Sequence, residues 1–187
     1  MKTASHANIL SMVYIALMTV IIAVCSWISV PGPVPFTLQT FAVFTALLLL
    51  GTRDGLLSII VYLLLGAVGV PVFSGFSGGI GHLLGPTGGY LFGFIVMGFV
   101  YGIISHFFRP SLVRNIIASA LGILACYAFG TVWFVIVYSQ TKSAVTFGAA
   151  LTMCVLPFLI PDAIKMGLAI ILSAKVRSIV PSLNIRK

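Results

Sequence analysis

Ile9-Leu-Ser-Met-Val-Tyr-Ile-Ala-Leu-Met-Thr-Val-Ile-Ile-Ala-Val-Cys-Ser-Trp-Ile-Ser-Val30 is a run of 22 residues with no formal charge. About 20 apolar residues in a helix cross a hydrocarbon core of about 30 Å, so this stretch reads as a membrane pass. A secretory signal has a shorter apolar region of about 7–15 residues followed by an A-x-A site, which is missing here. Ile22-Ala-Val-Cys25 is a poor lipoprotein site, because Val24 is too large for the position before the cysteine. The run is interrupted at Ser29-Val-Pro-Gly-Pro-Val-Pro35, where three prolines remove backbone donors and stop a helix.

The rest of the chain repeats this pattern. Of 187 residues, 60% are hydrophobic and 6% charged, with ten Lys or Arg, two Asp and no Glu. A soluble domain carries roughly 25% charged residues, and twelve charges cannot cover a water-facing surface for this chain. A second, shorter pass is expected over about 37–51. Residues 55–108 are uncharged and break at Ser74-Gly-Phe-Ser-Gly-Gly-Ile-Gly81 and Gly85-Pro-Thr-Gly-Gly89, giving passes over about 55–70 and 88–108. Two more are expected at about 112–138 and 147–175, the last containing Pro157 and Pro161. The continuous Leu, Ile, Val and Phe runs lack the alternation of a transmembrane barrel. The expectation is an all-α integral membrane protein, a single domain of six transmembrane helices over residues 1–187.

Basic residues set the orientation. With the N-terminus inside, Lys2, Arg53, Arg109, Arg114, Lys175, Arg177, Arg186 and Lys187 fall on the inner side and Lys142 alone outside. That bias puts both termini in the cytoplasm. The net charge of +8 is then explained by topology and anionic lipid. Nucleic-acid binding is not expected, since the charges are scattered over helix ends and form no patch.

Enzyme chemistry is also not expected. Cys25, Cys126 and Cys154 are far apart, with no C-x-x-C and no Cys/His cluster, so neither a metal site nor a disulfide framework is indicated. His6, His82 and His106 are isolated, and two Asp make no dyad. A P-loop needs G-x-x-x-x-G-K-[ST], and no lysine stands between Lys2 and Lys142. Any uphill transport must draw energy from a partner or an ion gradient.

Asp162 and Lys165, in Leu159-Ile-Pro-Asp-Ala-Ile-Lys-Met-Gly167, carry the most chemistry. They lie i,i+3 on one helical face, roughly ten residues or more from either end of the expected last pass. Buried charges there cost at least ~2.5–3.5 kcal/mol each and mark a ligand site or pathway; the alternative is an ion pair that only ties the helix to itself. Pro157 and Pro161 free backbone carbonyls, which persist in lipid only against protein or a wet cavity. Two outer connections are shaped for a ligand. One, Val30 to Gln39, offers Thr37 and Gln39; the other, Val70 to Tyr90, is long, apolar and glycine-rich. Gly85/Gly89/Gly93, Gly98/Gly102 and Ala118/Gly122/Cys126 are small faces for close helix contact. The face bearing Ala16, Thr19 and Ala23 can instead dock a membrane partner.

Pro33-Val-Pro-Phe-Thr-Leu-Gln-Thr-Phe41, Gly69-Val-Pro-Val-Phe73, Gly85-Pro-Thr-Gly-Gly-Tyr-Leu91 and Pro161-Asp-x-x-Lys165 together resemble the BioY family. This is the biotin-binding S component of energy-coupling-factor (ECF) vitamin transporters, and the likeness spans essentially the whole chain. The resemblance implies a prokaryotic cell-membrane subunit that captures biotin from outside. It also implies partnership with a membrane coupling protein and two cytoplasmic ATPases, which alone would use ATP; no cofactor of its own is expected. Biotin's ureido group offers two N–H donors and a carbonyl to Asp162 and Lys165, or its carboxylate meets Lys165. Tyr90 and Phe73 are expected as walls, with Gln39, Thr37 and Gly79 as further contacts. The A-x-x-x-A docking pattern of many S components is broken here, since Val20 stands four residues after Ala16. The competing readings are an autonomous ion-coupled carrier with Asp162 titrating, and an S component for another vitamin such as thiamine, which would favour an anionic cage without lysine.

Overall fold

The structure, a computed structural model, describes residues 2–32, 34–141 and 144–180. Pro33, Lys142, Arg186 and Lys187, which enter the reading above, lie outside the described residues. The chain runs α1 (Lys2–Trp27), a two-stranded antiparallel ladder of β1 (Ser29–Val30) and β2 (Phe36–Thr37), α2 (Gln39–Ala67), a 3-10 turn (Ser74–Phe76), α3 (Ile80–Leu83), α4 (Gly88–Phe107), α5 (Leu112–Thr141), α6 (Phe147–Cys154) and α7 (Leu156–Ile179). Among the described residues, five helices are long and apolar enough to cross a membrane: Ile9–Trp27, Gln39–Ala67, Gly88–Phe107, Leu112–Gln140 and Leu156–Ile179. The chain is a mostly helical, multi-pass membrane protein. The small ladder, with Ser29 opposite Thr37 and Val30 opposite Phe36, is the only departure from helix that pairs strands among the described residues.

α2 is not a straight rod. Gly51 adopts φ 82° and ψ 179°, a conformation open to glycine and strained for other residues. A Cβ placed on Gly55 would stand 2.8 Å from the carbonyl oxygen of Ala46. Nine residues of straight helix would separate those positions by about 13 Å. The chain therefore folds back at Gly51, next to Arg53 and Asp54, and divides into arms over 39–50 and 52–67.

The last expected pass, 147–175, is divided too. The backbone leaves helical geometry at Val155 (φ −121°, ψ −55°), and α7 starts afresh with Pro157 in its first turn. Proline is tolerated there because that N–H has no intrahelical acceptor. The break shortens the expected depth of the charged pair: Asp162 lies six residues, about 9 Å, from the start of α7.

The core lies between α1, α2, α4 and α5, with α7 packed on α2. Small residues let α4 and α5 close up. A Cβ on Gly93 would meet the Cys126 sulfur at 2.7 Å, and one on Gly130 would meet the Tyr90 ring at 2.2 Å. Both the Gly89/Gly93 face and Gly122 are thus used inside the bundle, and Gly98 and Gly102 receive Leu56 and Thr52 of α2.

The long connection before α4 folds down onto the bundle. Ser26 Oγ and the Tyr62 hydroxyl donate to the Val72 carbonyl, and Trp27 Nε1 donates to Pro71 O at 2.9 Å while stacking on Phe76. Gly79 N donates to Gly66 O at 2.7 Å, and Trp133 Nε1 donates to Gly85 O at 3.0 Å. Apolar loop residues drive the docking, and these bonds satisfy the backbone that docking buries.

Candidate functional site

The starts of α7, α2 and α4 and the middle of α5 converge on one cavity, roofed by the β1–β2 connection and by α3, which carries His82. Its empty volume is about 670 Å³ with open surroundings included, and it is lined by Val34, Pro35, Thr37, Gln39, Thr40, Ser74, His82, Thr87, Tyr90, Leu91, Phe94, Ile123, Cys126, Tyr127, Cys154, Phe158, Asp162 and Lys165. A few convergent polar groups in an apolar concavity are the usual make-up of a small-molecule site.

One end is polar. Lys165 Nζ donates to Asp162 Oδ1 at 2.8 Å, to Thr40 Oγ1 at 3.1 Å and to the Thr37 carbonyl at 2.6 Å. All three ammonium protons are thus engaged. Asp162 Oδ1 also accepts from Thr40 at 2.8 Å, and Oδ2 accepts from the Tyr127 hydroxyl at 2.5 Å. Thr40 accepts from the ammonium and donates to the carboxylate, as a hydroxyl can. Lys165 further sits 4.2 Å above the Phe36 ring centroid. Acid and base are 3% and 5% exposed, so neither faces lipid. The pair is net neutral, and its hydrogen bonds offset a desolvation penalty that bare burial would impose.

The remaining walls are apolar, from Leu91, Phe94, Ile123 and Phe158. Tyr90 is pressed onto Gly130 and bonds the Thr131 hydroxyl at 3.1 Å, which leaves its ring against the cavity. Gln39 spends its amide on the Tyr62 hydroxyl at 2.8 Å. His82 joins from the loop, bonded to Ser77 Oγ at 3.1 Å and stacked on Phe73. Burial pushes its imidazole below the ordinary value of 6.5 by desolvating the charged form. Such a site suits a guest with a compact hydrogen-bonding head and an apolar body. Among the described residues no three His, Cys, Asp or Glu side chains come together as a metal site would need.

Five residues singled out in the sequence line this cavity: Asp162, Lys165, Tyr90, Gln39 and Thr37. Phe73 and Gly79 do not. Phe73 is wholly buried behind the wall, wedged against Gly66 and edge-on to Tyr62. Gly79 (φ 93°) caps α3 and pins the loop to Gly66. Nor do the three small residues of α1 share an outward face. Ala16 is exposed, whereas Ala23 is buried and Thr19 bonds the Ser58 carbonyl of α2 at 3.2 Å. Thr40, Tyr127, His82, Ser74 and Thr87 are the polar lining residues that sequence reading missed. Thr40 carries a usable signal, lying i,i+3 from Thr37 and next to Gln39, while Tyr127 sits in an apolar run with nothing to mark it. Cys126 and Cys154, read as packing residues, both reach the cavity wall.

Known proteins resemble this chain in sequence and fold. A family model described as the BioY family matches residues 1–182. A probable biotin transporter BioY of Pyrococcus horikoshii is 42% identical over 164 residues, covering 87% of this chain and 93% of that protein. A biotin transporter BioY of Thermotoga maritima is 38% identical over 162 residues, covering 86% and 92%. The crystal structure of the S-component for biotin from an ECF-type ABC transporter superposes with a TM-score of 0.78 at 26% identity, covering 91% of this chain and 92% of that one. With sequence likeness running nearly end to end and the fold in agreement, the chain belongs to the BioY family.

Proposed function

We propose that this chain is the substrate-binding S component of a vitamin uptake transporter, capturing biotin from the outer side, and is not an enzyme. The observation that carries the reading is the buried Asp162–Lys165 pair at the polar end of an otherwise apolar cavity, in a chain whose relatives are named biotin transporters. Biotin's ureido group supplies two donors and one acceptor for Asp162, Lys165, Thr40 and Tyr127, and its thiophane ring and tail suit Tyr90, Leu91, Phe94 and Phe158. Because every Lys165 proton is already bonded, the guest enters by replacing one of those bonds, of which the contact to Thr40 Oγ1 at 3.1 Å is the longest.

The two arms of α2 count as separate passes in this reading, giving six passes and both termini in the cytoplasm of a prokaryotic cell membrane. The short arms are supported by the fold-back at Gly51. Transport is driven by a membrane coupling protein and two cytoplasmic ATPases, consistent with the absence of a P-loop sequence. Partner docking falls to the outward face of α1 around Ala16, Met12 and Val20. No cofactor is needed by the chain itself.

Uptake of labelled biotin into proteoliposomes tests this reading. Uptake should require a complete energy-coupling module and ATP. Uptake by this chain alone, abolished by collapsing the proton gradient, would establish the ion-coupled carrier instead.

A further inference from the structure

At the opposite end of the bundle the fold gathers basic residues that are scattered in sequence. Arg109 follows α4, Arg114 lies in the first turn of α5 and Arg177 in the last turn of α7, and all three line one cavity. Its empty volume is about 1700 Å³ with open surroundings included. α4 and α7 reach the Asp162 cavity with their first halves and this one with their last turns, so the two hollows are separate.

Among the described residues, no Asp or Glu lines the basic cavity. The chain has only two acids; Asp162 is in the other cavity, and Asp54 accepts from Ser11 of α1. Arg114 and Arg177 each donate to a neutral acceptor. Arg114 donates to Asn115 Oδ1 through Nη2 at 2.9 Å and Nε at 3.3 Å, and Arg177 Nη2 donates to the Leu49 carbonyl at 3.2 Å. Ser105 Oγ, buried at the wall, makes no hydrogen bond among the described residues. Three guanidinium groups around one hollow, with no Asp or Glu among its described lining residues, are a site for an anion with several acceptor oxygens, and guanidinium matches phosphate bidentately.

The other half of the lining identifies the source of that phosphate. Phe99, Ile103 and Phe107 share the cavity and are 57%, 59% and 76% exposed on the outside of α4. A free inorganic anion would leave these walls uncovered, whereas a lipid brings its own acyl chains to them. We propose that this cavity holds the phosphate of an anionic phospholipid, with the acyl chains lying along Phe99, Ile103 and Phe107. Basic pockets between membrane helices on the cytoplasmic side are suited to such headgroups, and this is the side to which the charge bias assigns these arginines.

The test uses the full chain in vesicles of phosphatidylcholine with and without phosphatidylglycerol, followed by extraction and native mass spectrometry of the retained lipid. Phosphatidylglycerol should be retained in preference to phosphatidylcholine, and Arg109→Gln and Arg114→Gln should each lower that preference about fivefold while eluting as monodisperse protein. Arg109, exposed at the mouth, decides the matter should the Arg114 variant fail to fold. Equal retention of the two lipids, or an unchanged preference in both variants, overturns the proposal. So does displacement of the lipid by millimolar inorganic phosphate, which would mark a free-anion site, or by poly-glutamate, which would mark a protein-docking site.

Discussion

Asp162 and Lys165 stand one turn apart on α7 with their charged atoms 2.8 Å apart, and both groups are also tied to α2 and its entry through Thr40 and the Thr37 carbonyl. The pair is therefore a cross-link between two helices as well as the wall of a cavity. These roles separate experimentally. Asp162→Asn and Lys165→Ala should each weaken biotin binding by about 2–5 kcal/mol, the cost of truncating one partner of a buried, hydrogen-bonded charge pair. Either single change leaves a lone buried charge, so both should also lower the melting temperature. The double variant Asp162→Asn/Lys165→Met should melt closer to wild type than Lys165→Ala, because no uncompensated charge remains. Unchanged affinity in both single variants would reduce the pair to a strut.

Tyr127 should prove a determinant of the site although it lies on α5, 35 residues from its partner. Tyr127→Phe keeps the ring and deletes the donor to Asp162 Oδ2. A hydrogen bond to a charged group contributes about 1.5–3 kcal/mol, so affinity for biotin should fall by roughly tenfold or more while the helical circular dichroism is unchanged. Calorimetric titration of the variant checks this, and wild-type affinity would remove Tyr127 from the binding machinery.

The fold-back at Gly51 makes a stability prediction. Gly51→Ala forces a Cβ into a backbone region that costs about 1–3 kcal/mol, and Gly55→Val drives a side chain into the Ala46 carbonyl. Both should lower the melting temperature in detergent, Gly55→Val more severely because backbone cannot yield as a side chain tip can. A melting temperature equal to wild type in both would mean that the two arms of α2 do not meet closely.

These tests rest on features of unequal legibility in the sequence. Arg53 and Asp54 interrupt the apolar run where α2 turns back, so the bend was marked by charge. Asp162 and Lys165 were legible because charge is expensive in a membrane and because i,i+3 spacing on a helix needs no tertiary knowledge. Thr19 and Ala23 were visible as a small face, but spacing cannot tell whether such a face turns toward α2 or toward lipid. Phe73 illustrates a related limit: an aromatic in a glycine-rich loop fits a ligand wall or a core wedge equally well, and the space left by Gly66, seven residues earlier, decides. The break at Val155 did carry a signal, since Pro157 belongs in a first helical turn.

His82 should give the protein a pH dependence on the acid side. Its folded-state pKa is depressed by burial from an ordinary value of 6.5, so the unfolded chain binds the proton more readily. Its contribution to stability is then fully present above about pH 6.5 and declines as pH falls below that value toward the depressed folded one. The melting temperature should drop between pH 7.5 and 5.5, and His82→Gln should reduce that drop. An equal drop in the variant would assign the dependence to other groups.

Titration of the purified chain with biotin, thiamine and riboflavin tests the central claim most directly, read by calorimetry and by the fluorescence of Trp133, whose indole bonds the loop at Gly85 beside the cavity. Biotin should bind saturably at one site per chain, with neither other vitamin competing. Saturable binding of thiamine or riboflavin with no response to biotin would contradict it.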